Sequence, residues 1–468
     1  MSSKLLFSAS CFKKVIKKSR IRYYYRSTML MRRLVSIVCV CLLSVSLGAA
    51  TTFTAASDAS GTTNDNNRID DDINDFGDEQ QQLQRIQNRI VSWIRSKGGS
   101  FSDKLEIRKA DPADPKSYLG VFAKEDIDAK ENLLSIPRDC YIHVFDTAED
   151  VNEEDENVDE AHTRNLCRLT RRLTEEMKLG EESEYAPYLA YLKTQTAGQL
   201  PVHWSEEGKK VLRKVALPGS SMVDWIEWNF QQPQNENANC IGAKDQNGSG
   251  STGLSFEERM LELTVQRGFD TSLIPIYDMI NHDNGRINTE NDSIYEPEGL
   301  RVRALRNLRA GEEIFSTYDL CLDCGGVEEY WGTPEILRDF GFVEDYPHRW
   351  IFPKQEIWFE VYYDDKEYTK VEDNEEEFIF MYFGTDSNGG GDITVPSDAQ
   401  LFFLENELDR LEEVGASFLE KQGSIPDREW NTILRFYEAT VTDISAVLRK
   451  IPFCEKEASD DAALLDFR

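Results

Sequence analysis

The sequence predicts an α+β protein with a core of short strands, a helical insertion and a mainly helical C-terminal region. Three observations support this class. Runs of β-type residues separated by turn residues occupy positions 105 to 136, apolar residues recur at helical spacing between 161 and 230, and two helical patterns close the sequence. With 468 residues, 40% of them hydrophobic, the chain is long enough to form more than one core.

Residues 1–50 are typical of a secretory leader. An apolar run at 34–47 follows Arg32 and Arg33 and precedes small residues at 48–50, which is the order of a signal peptide. The run is shorter than the roughly 20 residues that span a membrane. We expect a cleaved signal peptide, with an uncleaved signal anchor or an organelle address, such as a plastid one, as alternatives. Residues 51–79 are polar and are expected to form a disordered linker.

From residue 80 the elements follow in order. Leu83, Ile86, Ile90 and Ile94 have helical spacing and predict a helix over 80–97. The remaining predicted elements are strands at 105–108, 119–123 and 133–136, helices within 161–230, helices at 256–265 and 335–340, strands near 350–363 and 378–383, and helices at 399–413 and 428–450.

Charge is distributed unevenly. Residues 1–50 carry ten Lys or Arg and no acidic residue, which leaves 43 basic against 85 acidic residues and a net charge of −42 for the remainder. Such an acidic protein repels nucleic-acid phosphates. We therefore expect a basic protein as partner, no nucleic acid, a membrane contact only if residues 34–50 stay as an anchor, and a monomer. The acidic surface can also serve solubility alone.

Two motifs carry the strongest chemical signal. Asp278-Met279-Ile280-Asn281-His282 follows an apolar run, and Gly311-Glu312-Glu313 later begins a strand-like run that ends at Tyr318. An isolated Asn-His pair is common in turns, and a tyrosine at a strand end is usually a packing residue. The combination predicts a site that holds a nucleoside cofactor beside a phenol.

The two motifs resemble the signature motifs of SET-domain methyltransferases. In particular, residues 80–345 resemble the group of the RuBisCO large-subunit lysine methyltransferase, which also includes the actin-histidine methyltransferases. Further matching segments are Tyr118 to Ala123, Asp126-Ile127, Glu131 to Pro137, Tyr185 to Leu189, Leu200-Pro201, Gln266 to Phe269 and Asp339 to Val343.

The resemblance implies a β-rich SET fold with its core at about 105–318, a helical insertion at about 145–265, and a C-terminal helical domain at 346–468 that grips a protein substrate. It implies S-adenosylmethionine (SAM) as methyl donor and Tyr318 as the catalytic tyrosine. The implied cofactor contacts are Gly120, Glu131 and Leu133 largely through backbone, Arg267, Asp278, Asn281 and His282.

Two aromatic residues are implied to line the acceptor channel. Phe269 stands where lysine-modifying members of the group carry Phe, which favours lysine on a non-histone protein as acceptor. Tyr277 stands where the histidine-modifying branch carries Trp, so a protein-histidine methyltransferase remains an alternative.

Several residues depart from the group's pattern. Tyr118 replaces the first glycine of a Gly-X-Gly loop and is expected to crowd the cofactor pocket, and Gly332-Thr333 replaces Ser-Asn. A catalytically silent SET-fold protein that binds a basic partner is therefore a second hypothesis.

The cysteines beyond the leader complete the chemical inventory. Cys321 and Cys324 supply only half of a zinc site, so no metal is predicted. Disulfides are expected if the protein is secreted, and the candidates are Cys140, Cys167, Cys240, Cys321, Cys324 and Cys454.

Overall fold

A computed structural model describes residues 66–111, 114, 117–144, 158–216, 254–269, 271–318, 331–363, 379–384, 396–418 and 423–449. The chain divides into two units, Met1–Asp72 and Ile73–Arg468, and the architecture below is that of the second. The predicted leader and most of the predicted linker lie outside the described residues, although helix α1 begins at Asn66 rather than at Gln80. No helix in the described part of the chain is long and apolar enough to cross a bilayer.

Short strands build the N-terminal half in four small sheets. A four-stranded sheet has the order β1-β4-β10-β9, and smaller sheets pair β2 with β3, β8 with β11, and β5-β7-β6. The strands are β1 (Ser100–Phe101), β2 (Leu105–Lys109), β3 (Leu119–Ala123), β4 (Asn132–Ile136), β5 (Ile142–His143), β6 (Gly268–Phe269), β7 (Ser272–Leu273), β8 (Asn281–His282), β9 (Thr289–Asn291), β10 (Leu300–Ala304) and β11 (Phe315–Ser316).

Strand β4 lies at the centre of the largest sheet. It pairs antiparallel with β1 on one side and β10 on the other, with Leu134 opposite both Phe101 and Val302. These three side chains are buried in the first core together with Ile90 and Ile94 of α1. The predicted strands of 105–136 are confirmed to within a residue at each end.

Helices interrupt the strands as predicted. They are α1 (Asn66–Ser96), α2 (Val158–Leu179), α3 (Ala186–Leu192), α4 (Glu206–Val215) and α5 (Phe256–Arg267). The apolar face of α2 lies within the region of predicted helical spacing and is buried; it consists of Leu166, Leu169, Leu173 and Met177. Helix α5 begins at a capping box, in which the Ser255 side chain accepts from the Glu258 N–H and Glu258 accepts from the Ser255 N–H.

The C-terminal region contains a second core built from helices and an antiparallel sheet. Its elements are α6 (Thr333–Phe340), β12 (His348–Phe352), β13 (Ile357–Tyr363), β14 (Ile379–Gly384), α7 (Asp398–Phe418) and α8 (Asp427–Arg449). Val211 and Leu212 of α4 also belong to this core. The boundary at residues 345–346 stays a prediction, since an element of the insertion packs with the C-terminal elements.

The described cysteines differ in state. Cys140 is a buried free thiol, and burial raises its pKa to about 12. Cys167 is disulfide-bonded. Cys240, Cys321, Cys324 and Cys454 lie outside the described residues, within which no group of His, Cys, Asp and Glu could hold a metal ion.

A buried polar cluster lies inside the second core. Asp443 of α8 is fully buried and accepts from the Trp350 indole N–H at 2.7 Å and from the Tyr346 hydroxyl at 3.1 Å. His348 Nδ1 lies 2.7 Å from the same carboxylate, and Nε2 lies 3.1 Å from the Glu344 carbonyl. Because a carbonyl only accepts, Nε2 carries a proton, and Nδ1 carries one too where it donates to the Asp443 carboxylate, which makes a buried ion pair.

We predict that this pair makes folding stability depend on pH. Burial opposes the charged imidazole, but the hydrogen bond and charge of Asp443 outweigh it and raise the pKa of His348 above its ordinary value. A raised folded pKa contributes stability that is complete below the unfolded value of about 6.5 and is lost as pH rises through the folded pKa. Urea unfolding should show that the free energy of unfolding of wild type falls as pH rises through the folded pKa of His348. His348→Gln should not show this fall. Parallel profiles for the two proteins would contradict the ion pair.

Candidate functional site

The two motifs meet as neighbouring strands. Strand β8 pairs with β11 in parallel, with Phe315 opposite Asn281 and Ser316 opposite His282. The pairing continues beyond the strands, since the Asp283 N–H donates to the Ser316 carbonyl at 3.2 Å. The combination predicted from the sequence is thus one continuous site.

A buried asparagine secures the second motif. Asn288 is fully buried; its amide nitrogen donates to the Glu313 carbonyl at 2.8 Å, and its oxygen accepts from the Phe315 N–H at 2.8 Å. An asparagine side chain used in this way replaces a missing strand partner and fixes the backbone that leads to Tyr318.

Tyr318 is held with its hydroxyl pointing at the first motif. The hydroxyl donates to the Ile280 carbonyl at 2.8 Å, and burial raises the pKa of Tyr318, so the phenol stays protonated near neutral pH. Its ring lies 4.6 Å from that of Phe340 and 5.2 Å from that of His282, measured between centroids. Tyr318 is therefore an oriented hydroxyl, and it is unsuited to act as a base.

His282 has a defined tautomer. Its Nδ1 accepts from the Tyr318 N–H at 3.0 Å, so the proton resides on Nε2, which lies 2.7 Å from a Glu344 carboxylate oxygen. The other Glu344 oxygen accepts from the Thr333 hydroxyl at 2.6 Å. The His282 and Glu344 side chains are almost completely inaccessible to solvent. Glu344 therefore orients the imidazole from the C-terminal side of the fold.

Phe340 and Phe342 extend this cluster. The Phe342 ring lies 6.2 Å from His282 and 6.4 Å from Phe340. Together with Tyr318, these rings form an aromatic surface beside the paired motifs. A flat heteroaromatic group can pack against such a surface.

Arg267 and Asp278 form a buried polar pair next to the first motif. Arg267 donates to the Asp278 carbonyl at 2.7 Å and to the Gln195 side chain at 2.6 Å, and the Tyr188 hydroxyl donates to Asp278 Oδ2 at 2.9 Å. Asp278 Oδ1 is buried and has no hydrogen-bond partner among the described residues. Burial raises the pKa of Asp278 to about 7, although the nearby Arg267 opposes the rise. A buried acceptor without a hydrogen-bond donor lowers the stability of the folded protein, which points to a donor supplied by a ligand.

Gly120 allows a close approach of chains beside Asn281. A Cβ at this position would lie 2.9 Å from Asn281 Nδ2 and would overlap the Glu313 carboxylate. Asn281 Nδ2 donates to the Leu119 carbonyl at 2.9 Å and to Glu313 at 2.8 Å. Tyr118 is 54% exposed, and its hydroxyl donates to the second Glu313 oxygen at 3.0 Å. Much of the Tyr118 ring therefore lies at the surface, and its hydroxyl contacts a site residue.

Phe269 and Tyr277, the two predicted channel residues, lie next to each other. Their ring centroids are 4.3 Å apart, and the Tyr277 hydroxyl donates to Asn291 at 3.2 Å. Ile276, directly before Tyr277, has a φ of 68°, a conformation that a β-branched residue rarely adopts. Such backbone strain, which costs about 1–3 kcal/mol, is concentrated at functional sites.

Glu131 and Leu133 are not joined to this cluster by a hydrogen bond among the described residues. The Glu131 carboxylate pairs with Lys104 at 2.8 Å, and its carbonyl accepts from the Ala304 N–H at 3.0 Å. Leu133 is buried in the first core, and its carbonyl accepts from the Ser102 N–H at 2.9 Å. Their backbone contacts to a cofactor stay a prediction.

Several site residues were not identified from the sequence. Tyr188, Phe340 and Phe342 lie inside segments that carry the family resemblance, so their position could have suggested a role. Glu344 directly follows such a segment, but no local pattern distinguishes it from the many other acidic residues. Asn288 gave no signal at all.

We predict that Glu344→Ala destabilises the protein much more than Glu344→Gln. The alanine variant leaves the His282 Nε2–H and the Thr333 hydroxyl without their acceptor, at about 1–3 kcal/mol for each unsatisfied group. Glutamine can accept from His282 and donate to Thr333. Urea unfolding measures the difference, and nitrogen chemical shifts of His282 should report the Nε2–H tautomer in wild type. Equal stability of the two variants would show that the carboxylate does not hold the ring.

Comparison with known proteins finds similarity to one family model and to several methyltransferases. Residues 119–319 match the family model of the SET domain. The chain is 25% identical to N-lysine methyltransferase setd6 of Danio rerio over 299 residues, which cover 58% of this chain and 60% of that protein. It is 27% identical to the chloroplastic [fructose-bisphosphate aldolase]-lysine N-methyltransferase of Arabidopsis thaliana over 283 residues, 55% of this chain and 52% of that one.

The chain thus spans little more than half the length of these curated relatives. Among solved structures, the SET domain of LSMT bound to lysine and AdoHcy aligns with a TM-score of 0.39 and 14% identity, over 83% of this chain and 98% of that one. The family match includes both paired motifs, from Gly120 through Tyr318. Residues 119–319 of this chain are therefore similar to the SET domain.

Proposed function

We propose that this protein transfers a methyl group from SAM to a lysine side chain of a non-histone protein. The observation that carries the proposal is the parallel pairing of β8 with β11, which unites Asn281, His282 and Tyr318 in one site. The names of the relatives, N-lysine methyltransferases of animals and of a chloroplast, agree with this activity.

The residues present fit SAM as a ligand. The orphaned Asp278 oxygen can accept from an ammonium group, Gly120 admits a close approach, and the aromatic surface at His282 suits an adenine ring. Arg267, Asp278, Asn281 and His282 would hold the ligand, with Glu131 and Leu133 as proposed backbone contacts. SAM would supply an electrophilic methyl group on a sulfonium.

Tyr318 would orient the acceptor amine. Its hydroxyl hydrogen is already donated to Ile280, so the oxygen lone pairs remain free to accept from an amine N–H. Holding the amine by its N–H directs the nitrogen lone pair, and alignment of that kind can lower the barrier substantially. The amine must be neutral, and desolvation in a closed channel favours its neutral form without a strong base.

Phe269 and Tyr277 would line the channel and select the acceptor. Two aromatic rings 4.3 Å apart make a narrow apolar wall, which suits the methylene chain of lysine. Protein-histidine methylation is the alternative, and mass spectrometry of a methylated basic protein distinguishes the two residues.

A catalytically silent protein that binds a basic partner is the second candidate. The observation that favours it is that both Asn281 N–H groups are already engaged, by Leu119 and Glu313. Both candidates predict a basic partner, because the chain has a net charge of −32. Only the enzyme requires SAM binding.

We predict that Asn281→Ala and Tyr318→Phe separate binding from chemistry. In a calorimetric titration, the full-length protein should bind SAM and Asn281→Ala should not, because the amide anchors Glu313 and Leu119 around the pocket. Tyr318→Phe should keep SAM binding and lose on the order of 100-fold in kcat, since a misaligned acceptor costs about that much. Tyr437→Phe, a tyrosine of helix α8, is the matched control. If the wild-type protein did not bind SAM, the enzyme proposal would be overturned, and the catalytically silent protein that binds a basic partner would remain.

We further propose that residues 34–50 direct the chain into the secretory pathway, with a plastid as alternative because one relative is chloroplastic. N-terminal sequencing of protein purified from eukaryotic cells should find cleavage near the small residues at 48–50. An intact leader in the membrane fraction would indicate an anchor, and accumulation in plastids would indicate the organelle address.

A further inference from the structure

The Glu313 carboxylate is buried and has no ion-pair partner among the described residues. It is 9% exposed, and its hydrogen-bond donors are two neutral groups, the Asn281 amide and the Tyr118 hydroxyl. Within the part of the chain that the structure describes, no lysine, arginine or histidine forms an ion pair with it. A buried carboxylate ordinarily has a charged partner, because removing the charge from water costs several kcal/mol.

The neighbouring basic residues are committed elsewhere. Arg286 pairs with Asp283 at 2.6 Å and lies over the Phe315 ring, while Arg108 pairs with Glu106 at 3.0 Å and lies over Phe122. Neither arginine forms an ion pair with Glu313. Burial raises the pKa of the Glu313 carboxyl above its ordinary value, and the charges of the two arginines, which act from a distance and lower this pKa, do not outweigh burial.

Glu313 also lies where a ligand is expected. Its carboxylate touches the position of a Gly120 Cβ and bonds to Asn281, and both residues are proposed cofactor contacts. A cationic ligand at this place would provide a counter-charge in direct contact with the carboxylate.

We propose that Glu313 is a specificity-determining residue that favours the positively charged methyl donor over its neutral product, and that Tyr118 positions it. This inference rests on the proposed function. In methyl transfer the carbon–sulfur bond breaks, the carbon–nitrogen bond forms, and the electron pair of the broken bond stays on sulfur. The positive charge thereby passes from sulfur to the methylated nitrogen, which then loses a proton to solvent. The attraction between the nucleoside and Glu313 is lost, which favours product release.

Tyr118 acquires a role from the same contacts. Its hydroxyl fixes one carboxylate oxygen while Asn281 fixes the other, so the departure from glycine supports the pocket. Burial and the negative charge of Glu313 raise the pKa of Tyr118 to about 12, so the hydroxyl remains a donor. If Tyr118 crowds the pocket, as expected from the sequence, Tyr118→Gly should strengthen SAM binding. If its hydroxyl supports Glu313, Tyr118→Gly should weaken SAM binding.

The test is calorimetric titration of the full-length protein with SAM, sinefungin and S-adenosylhomocysteine. Sinefungin carries an amine in place of the sulfonium and reports charge without the reactive methyl group. Glu313→Gln should weaken SAM and sinefungin by about tenfold, the size of one modest charge interaction, and change the affinity for S-adenosylhomocysteine by less than about twofold. Tyr118→Phe should also lower the affinity for SAM relative to that for S-adenosylhomocysteine, by a smaller factor.

Glu312→Gln is the matched control. Glu312 directly precedes Glu313, and its carboxylate pairs with Arg306 at 2.5 Å. Its neutralisation should therefore leave the ratio of the SAM and S-adenosylhomocysteine affinities unchanged. If Glu313→Gln lowered the affinity for all three ligands equally, Glu313 would act only by holding Asn281 in place, and the proposal would be overturned. Tighter SAM binding by Tyr118→Gly would overturn the role of Tyr118. Failure of wild type to bind any of the three ligands would instead defeat the proposed function itself.

Discussion

The site depends on the parallel pairing of two very short strands. Strands β8 and β11 are two residues each, and an isolated pair of this length has almost no stability in water. It persists because side chains complete it, with Asn288 bonded to the backbone on both sides of Ile314 and His282 accepting from the Tyr318 N–H. The chemistry of the site is thus held by polar side chains more than by the sheet.

A chain of buried acids connects this pair to the rest of the molecule. Glu344 holds His282 through its carboxylate and His348 through its carbonyl, and His348 in turn pairs with Asp443 of helix α8. The second core therefore contributes directly to the geometry at Tyr318. Two other buried acids, Asp278 and Glu313, lie at the proposed cofactor pocket. Asp278 Oδ1 has no hydrogen-bond partner among the described residues, and Glu313 accepts from two neutral groups.

Most elements could be predicted because their signals are local. The strands at 105–136 and the C-terminal helices follow from apolar periodicity and turn residues, and the structure places them within a few residues of the expected ends. The start of helix α1 was predicted too late, since the polar composition of 66–79 gave no helical periodicity. The contribution of α4 to the second core was not predicted. The spacing of apolar residues shows which face of a helix is buried, but it does not show which elements that face packs against.

The sequence by itself determined the two motifs, their order and the residue types that a nucleoside site requires, because those depend on covalent spacing and side-chain chemistry. Only the tertiary structure decided that Glu344 fixes the His282 tautomer, that Glu313 is buried among neutral donors, and that the hydroxyl of Tyr118 reaches it. These contacts join residues far apart in the chain. A carboxylate's role depends on which donors surround it and how much water it loses, and both are set by packing alone.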